Sequence, residues 1–189
     1  MAMRLRRLGL LLAAGALAAG MSVGTSGTVQ AATADLVSPS PGSTGAWYEI
    51  YAPLINHSGY YRCLDVPYAS VQPYQAVQTY HCHGYDSSGA NQRWKFWPNG
   101  DGTYQIQNVN SQLCLEALAY GAQPLWQYYC DGLQDERWRI ISGIGGQFEL
   151  TTQALTGYCM AVYNFSGDSS IVWLQHCNPG GALLTWQLG

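Results

Sequence analysis

Three times along this chain a pair of cysteines is followed by a tryptophan: Cys63, Cys82 and Trp94; Cys114, Cys130 and Trp138; Cys159, Cys177 and Trp186. Corresponding members recur about every 45 to 50 residues, and a repeat of that length is a small supersecondary unit that cannot bury an apolar face alone. The copies must therefore close on one another. Propeller blades have this length, but a propeller needs at least about four of them. Three units can close around a pseudo-threefold axis instead, each giving one tryptophan to a shared centre and covering its neighbours' strand edges. The intervening sequence agrees with this. Short apolar or aromatic runs at 76–80, 94–97, 104–106, 137–141, 148–150 and 171–174 are separated by Gly, Asn, Asp and Ser. Apart from the short stretch 115–120, nothing sustains a helical period. The class is all-β.

Ahead of the repeats, Arg4, Arg6 and Arg7 precede an apolar run from Leu8 to Ala19, and small residues around Ala31 and Ala34 offer cleavage sites. This reads as a secretory signal peptide over residues 1–31, cut after Ala31 or Ala34. A membrane anchor is the rival reading, but the run is shorter than the roughly 20 residues a spanning helix needs. Residues 32–46, rich in Pro, Gly, Ser and Thr, read as a flexible lead-in, and the folded domain is expected from Trp47 to Gly189 in lobes 47–98, 99–142 and 143–189.

Three of the eight basic residues lie in the leader, which leaves five against 11 acidic ones, a formal charge of −6. Arg62, Arg93, Lys95, Arg137 and Arg139 are scattered, whereas a phosphate backbone calls for clustered cations, so no nucleic-acid partner is expected. The abundance of Tyr, Trp, Gln, Asn and Gly suits neutral polar ligands with a flat apolar face. All six cysteines follow the leader, an even number in an exported chain, and a disulfide framework is the default. The repeat selects Cys63 with Cys82, Cys114 with Cys130, and Cys159 with Cys177. Zinc is the rival, because His81, Cys82 and His83 are adjacent. No CxxC occurs, however, and alternation along a strand aims both histidines away from Cys82. No metal or cofactor is expected.

The segments Cys63-Leu64-Asp65-Val66, Val77-Gln78-Thr79-Tyr80-His81-Cys82 and Asn91-Gln92-Arg93-Trp94 resemble the C-L-D-V, V-Q-x-Y-x-C and N-Q-x-W motifs of the ricin B-type β-trefoil lectin and carbohydrate-binding module family. The resemblance covers residues 47–189. It implies a β-trefoil of three four-stranded lobes, called α, β and γ, with shallow sugar sites.

Sugar recognition in water exchanges hydroxyl–water bonds for others of similar strength, so polar groups mainly set specificity. Stacking of an aromatic on the ring's C–H face adds buried area, while a carboxylate accepts from neighbouring hydroxyls and an amide both donates and accepts. The α copy holds the full set. By resemblance Asp65 accepts from adjacent hydroxyls, Tyr80 stacks beneath the ring, Asn91 donates to a hydroxyl, and Gln78 and Gln92 support the site. Trp94 is read as core. The β copy places Glu116 at the Asp position, Tyr128 at the stacking position, and Asp135 and Glu136 where Asn and Gln stand, so acids gather and an amide donor is lost. In the γ copy Ala161 replaces the acid, Gln175 the aromatic, and Leu183 and Leu184 precede Trp186. That lobe is read as structural.

No nucleophile elbow, His-Glu-x-x-His or phosphate loop occurs. Asp135 and Glu136 are the nearest carboxylate pair for glycoside cleavage, but neighbours in a strand point opposite ways. The sequence therefore reads as a secreted, non-catalytic sugar-binding protein, and the resemblance implies galactose- or xylose-type sugars, Tyr80 being similar to the stacking residue of the family's bacterial modules. A protein-binding trefoil, such as a protease inhibitor or a toxin's targeting subunit, is the alternative. Asn56 and Asn164 stand in glycosylation sequons.

Overall fold

In the computed structural model, residues 46–57, 60–84, 87–143, 145–162, 168–177 and 185–189 are described, without the side chains of 53–60. The leader with its cleavage site, the lead-in before Ala46, the Asn164 sequon, the Asn56 side chain and the Leu183–Leu184 pair lie outside them.

Alternation of apolar and polar residues builds the strands. In Phe148–Thr152 every second side chain is buried, and in Ser170–His176 Ser170, Val172 and Leu174 point inward while Ile171 is exposed. The strands are β1 (Tyr48–His57), β2 (Tyr60–Asp65), β3 (Gln75–Ala76), β4 (Gln78–His81), β5 (Arg93–Pro98), β6 (Tyr104–Asn108), β7 (Cys114–Glu116), β8 (Trp126–Tyr128), β9 (Trp138–Ser142), β10 (Phe148–Thr152), β11 (Tyr158–Val162), β12 (Ser170–His176) and β13 (Gln187–Leu188). Setting aside the two-residue β3, each copy supplies four: β1, β2, β4 and β5; β6 to β9; β10 to β13.

Antiparallel pairing closes a barrel. β1 pairs β5, β5 pairs β6, β6 pairs β9 and β9 pairs β10; Phe148 of β10 bridges Trp186, and β13 returns to β1. The hairpins β2/β4, β7/β8 and β11/β12 cap it. Closure leaves the barrel strands no open edge. The fold is a β-trefoil.

Its centre repeats one device three times. Trp94, Trp138 and Trp186 are fully buried, and each indole N–H donates to the carbonyl of the residue after its copy's first cysteine: Leu64 at 3.0 Å, Leu115 at 2.9 Å and Met160 at 3.1 Å. The ring fills the axis while the one polar atom it carries is satisfied, as a buried indole requires. Disulfides join Cys63 to Cys82, Cys114 to Cys130 and Cys159 to Cys177, across 19, 16 and 18 residues.

Two details depart from the sequence reading. The run 76–80 is not one strand: it breaks at Val77, whose N–H donates to Leu125 and whose carbonyl accepts from Val172. Val77 thus joins all three lobes, and β3 turns away to pair β8 of the next lobe. Residues 115–120 hold no helix; Leu115 and Glu116 pair with β8, and a turn follows.

Candidate functional site

At the end of β2, Asp65 faces Gln78 of β4 in register, and Tyr80, two residues on, shares the face of Gln78. The segment Ser87–Gln92 brings Asn91 and Gln92 to the same point. Asp65 is 2% exposed. Its Oδ1 accepts from Asn91 Nδ2 at 2.7 Å and Gln92 Nε2 at 3.1 Å, and its Oδ2 accepts from Gln78 Nε2 at 2.8 Å. A carboxylate has about four lone-pair sites, so Oδ2 keeps one for a ligand hydroxyl. Burial raises the Asp65 carboxyl above its ordinary 3.8, opposed by the bonds from Gln78 and Gln92, the His83 charge and the Asn91 amide.

Gln92 is fully buried and wholly engaged. Besides Asp65 it donates to the His81 carbonyl at 3.0 Å, and its Oε1 accepts from the His83 N–H at 2.8 Å. Asn91 also donates to the Val66 carbonyl at 2.9 Å, so both its N–H groups are occupied within the protein. What Asn91 has left is Oδ1, a buried acceptor that takes no hydrogen bond from the described residues. In this geometry Asn91 orients Asp65, with both its N–H groups spent inside the protein, where the sequence reading had it donating to a ligand hydroxyl.

Asp65, Gln78, Tyr80 and Asn91 line one open cleft of about 440 Å³, together with Tyr68, Ala69, His83, Ser88 and Ser169. The last five were not singled out for this site. Ser169 comes from the γ lobe, far along the chain, and carries no local signal. His83 belongs to the triplet weighed above for zinc. Its ring lies 5.8 Å from that of Tyr80, and the His81 ring lies 4.2 Å from Tyr80. Cys82 is bound to Cys63, so its sulfur is no thiolate ligand, and His81 Nδ1 faces Asp168 at 3.4 Å.

The β lobe repeats the frame with other chemistry. Glu116 is 7% exposed and pairs in register with Trp126, which stands where Gln78 stands. The Trp126 indole N–H is buried and meets no acceptor among the described residues. Burial, then the charge of Asp135 and the hydrogen bond between the two carboxyls, then Glu136 and Asp131, push the Glu116 carboxyl from 4.5 up to about 7.

Glu136 plays the part of Gln92: it is buried and accepts from the N–H groups of Asp131 and Gly132, both at 2.8 Å, and from Gln105 Nε2 at 2.6 Å. Asp135 and Glu136 sit in the turn Gln134–Glu136 and not in a strand, yet they diverge, one toward Glu116 and the other into the loop after Cys130. Tyr74 packs on Tyr128 with ring centroids 4.6 Å apart, and the two hydroxyls share a hydrogen bond at 3.2 Å; the bond that the protonated Tyr128 phenol makes to Tyr74, and then the Tyr74 charge, push that phenol up to about 12. The stacking position of this lobe is thus partly covered by the protein itself. In the γ lobe Ala161 is buried opposite Trp173, and Gln175 is half-buried.

Three disulfide-bonded lobes around a tryptophan axis, one of them holding an acid, amides and an aromatic in an open cleft, define a lectin-type β-trefoil. The sequence model of the ricin-type beta-trefoil lectin domain-like family matches residues 41–118 and 90–175, and the chain belongs to that family. No curated protein matches it in sequence. Among solved structures it is similar to the designed three-fold symmetric protein ThreeFoil, at 27% identity and TM-score 0.63 over 75% of this chain and 96% of that one. An exo-β-1,3-galactanase from Clostridium thermocellum aligns at 22% identity and TM-score 0.64 over 76% of this chain, which spans 30% of the enzyme. The C-half of the earthworm R-type lectin, solved with GalNAc, aligns at 13% identity and TM-score 0.54 over 75% of this chain and 96% of that one. The last two likenesses concern the fold alone. The ricin B-type fold points to carbohydrate binding.

Proposed function

We propose that this chain is an exported, non-catalytic carbohydrate-binding protein whose α cleft takes neutral sugars of galactose or xylose type. The observation that carries the reading is Asp65, a buried carboxylate oriented by three side-chain amides, with one lone pair left toward an open cleft walled by Tyr80. Such a group accepts from a hydroxyl without reorganising, because its partners already hold it in place. A pyranose hydroxyl donates to the lone pair that Oδ2 keeps, and Tyr80 covers the ring's apolar face.

Two further observations support parts of the reading. Three disulfides suit an oxidising compartment, and among the described residues no helix is long and apolar enough to cross a membrane. The β lobe, short of amide donors and half-covered by Tyr74, is the weaker site, and the γ lobe serves the fold.

The test is retention on immobilised galactose and on xylan. The parent chain is retained and eluted by free sugar, Asp65→Ala passes through, and Ala161→Asp gains nothing. Full retention of Asp65→Ala would remove the α cleft from the account. A chain that binds no glycan on an array, yet captures a protein, would favour the protein-binding alternative.

A further inference from the structure

Beside Asp65 stands an aromatic that the acid–amide–Tyr80 set does not use. Tyr68 lines the same cleft, and its side chain is 100% exposed. Exposure alone means little, since much of any protein surface is apolar. The backbone under it is the telling feature. Tyr68 has φ 57° and ψ 23°, and the next residue, Ala69, has φ 50°. Residues with a Cβ occupy this left-handed region at a cost of about 1 kcal/mol or more each, and glycine would avoid that cost.

The turn is nevertheless firmly held. Asn110 Nδ2 donates to the Ala69 carbonyl at 2.9 Å, and Gln127 Nε2 donates to the carbonyls of Ser70 at 2.9 Å and Gln72 at 2.8 Å. Gln127 is fully buried, and its Oε1 accepts from Ser111 Oγ at 2.7 Å. Pro67, with its preset φ, opens the turn, and the Ser70 N–H closes onto the Pro67 carbonyl at 3.0 Å. The β lobe thus clamps a strained turn whose effect is to hold an aromatic ring up in water at the cleft. Fully exposed, that ring adds no buried area to the fold.

We propose that Tyr68 is a second stacking platform, so that the α cleft holds at least two consecutive rings of an oligosaccharide: one on Tyr80 with its hydroxyls on Asp65, the next against Tyr68. This rests on the sugar-binding reading above and adds chain length to it. A cleft of about 440 Å³ falls within the range of about 300–1,000 Å³ that houses ligands larger than a single sugar ring.

Calorimetric titration of the purified chain with D-xylose, D-galactose, β-1,4-xylotriose and β-1,3-galactotriose tests it. The expected result is a trisaccharide of the preferred sugar bound about 3- to 10-fold more tightly than its monosaccharide, the range of one aromatic contact. Tyr68→Phe keeps that preference. Tyr68→Gly loses it, with the trisaccharide weakened more than the monosaccharide, and melts no lower than the parent, because glycine relieves the turn. Equal affinity for mono- and trisaccharide in the parent overturns the second platform alone, as does a Tyr68→Gly protein that keeps the preference or weakens both ligands alike. Failure of the parent to bind any of the four sugars overturns the functional reading itself, and the platform with it.

Discussion

Glu116 makes the β lobe sensitive to pH, and the sign of the effect follows from its surroundings. The residue is 7% exposed, and its carboxyl faces other acids and titrates at about 7 in the folded protein against 4.5 ordinarily. The folded state therefore keeps a proton that the unfolded chain has released, so stability falls as pH rises from about 4.5 to about 7 and levels off above that. The full difference corresponds to about 3 kcal/mol at 1.36 kcal/mol per pH unit, and solvent screening reduces it to about 1.5–3 kcal/mol. Glu116→Gln keeps the shape and removes the charge. Thermal unfolding of parent and variant from pH 4.5 to 8.5 reads the difference. At the acid end the curves nearly coincide, and above pH 7 the variant melts higher by about 3–12 °C, at roughly 2–4 °C per kcal/mol for a domain of this size. Parallel curves across the whole range would refute the reasoning, because they would mean that Glu116 titrates alike in both states.

The tryptophan axis gives a second prediction: Trp138→Ala should cost about 3–5 kcal/mol, measured by denaturant unfolding, and a loss under about 1 kcal/mol would contradict its central place. Removing the Cys114–Cys130 bridge by a double alanine substitution should cost about 2–4 kcal/mol, and reductant should then have a smaller effect on the variant than on the parent. Gln92→Leu leaves Asp65 with two amides and the His83 N–H without its acceptor, so both sugar affinity and melting temperature should drop; an unchanged melting temperature would contradict the buried network.

Elements whose identity rests on local pattern were legible in the sequence. The recurring tryptophans announced a shared centre because a large aromatic spaced at the repeat length has few other uses, and β10 and β12 alternate plainly. Asp65, Gln78, Tyr80 and Asn91 could be placed together because their motifs resemble those of the ricin B-type family, and the altered residues of the other two copies then separated site from fold. What depends on contacts distant in sequence stayed hidden. Val77 breaks its strand because Leu125 and Val172 compete for its backbone. Ser169 reaches the α cleft from another lobe. The direction of the Asn91 amide follows from Val66 and Asp65 taking both its hydrogens, and no residue spacing encodes that. Glu136 read as one more acid of a site, while its place in the structure is the cap of the loop after Cys130.

The central claim is that a sugar sits in the α lobe on Asp65 and Tyr80. Its most direct measurement is a nuclear magnetic resonance titration of the labelled chain with galactose and with xylose, followed on aromatic ring and side-chain amide signals. The account expects saturable shifts of the Tyr80 ring and of the Gln78 and Asn91 amides, weaker ones around Tyr128, and none around Ala161. Saturable shifts confined to the γ lobe, or none anywhere with either sugar at high concentration, would contradict it.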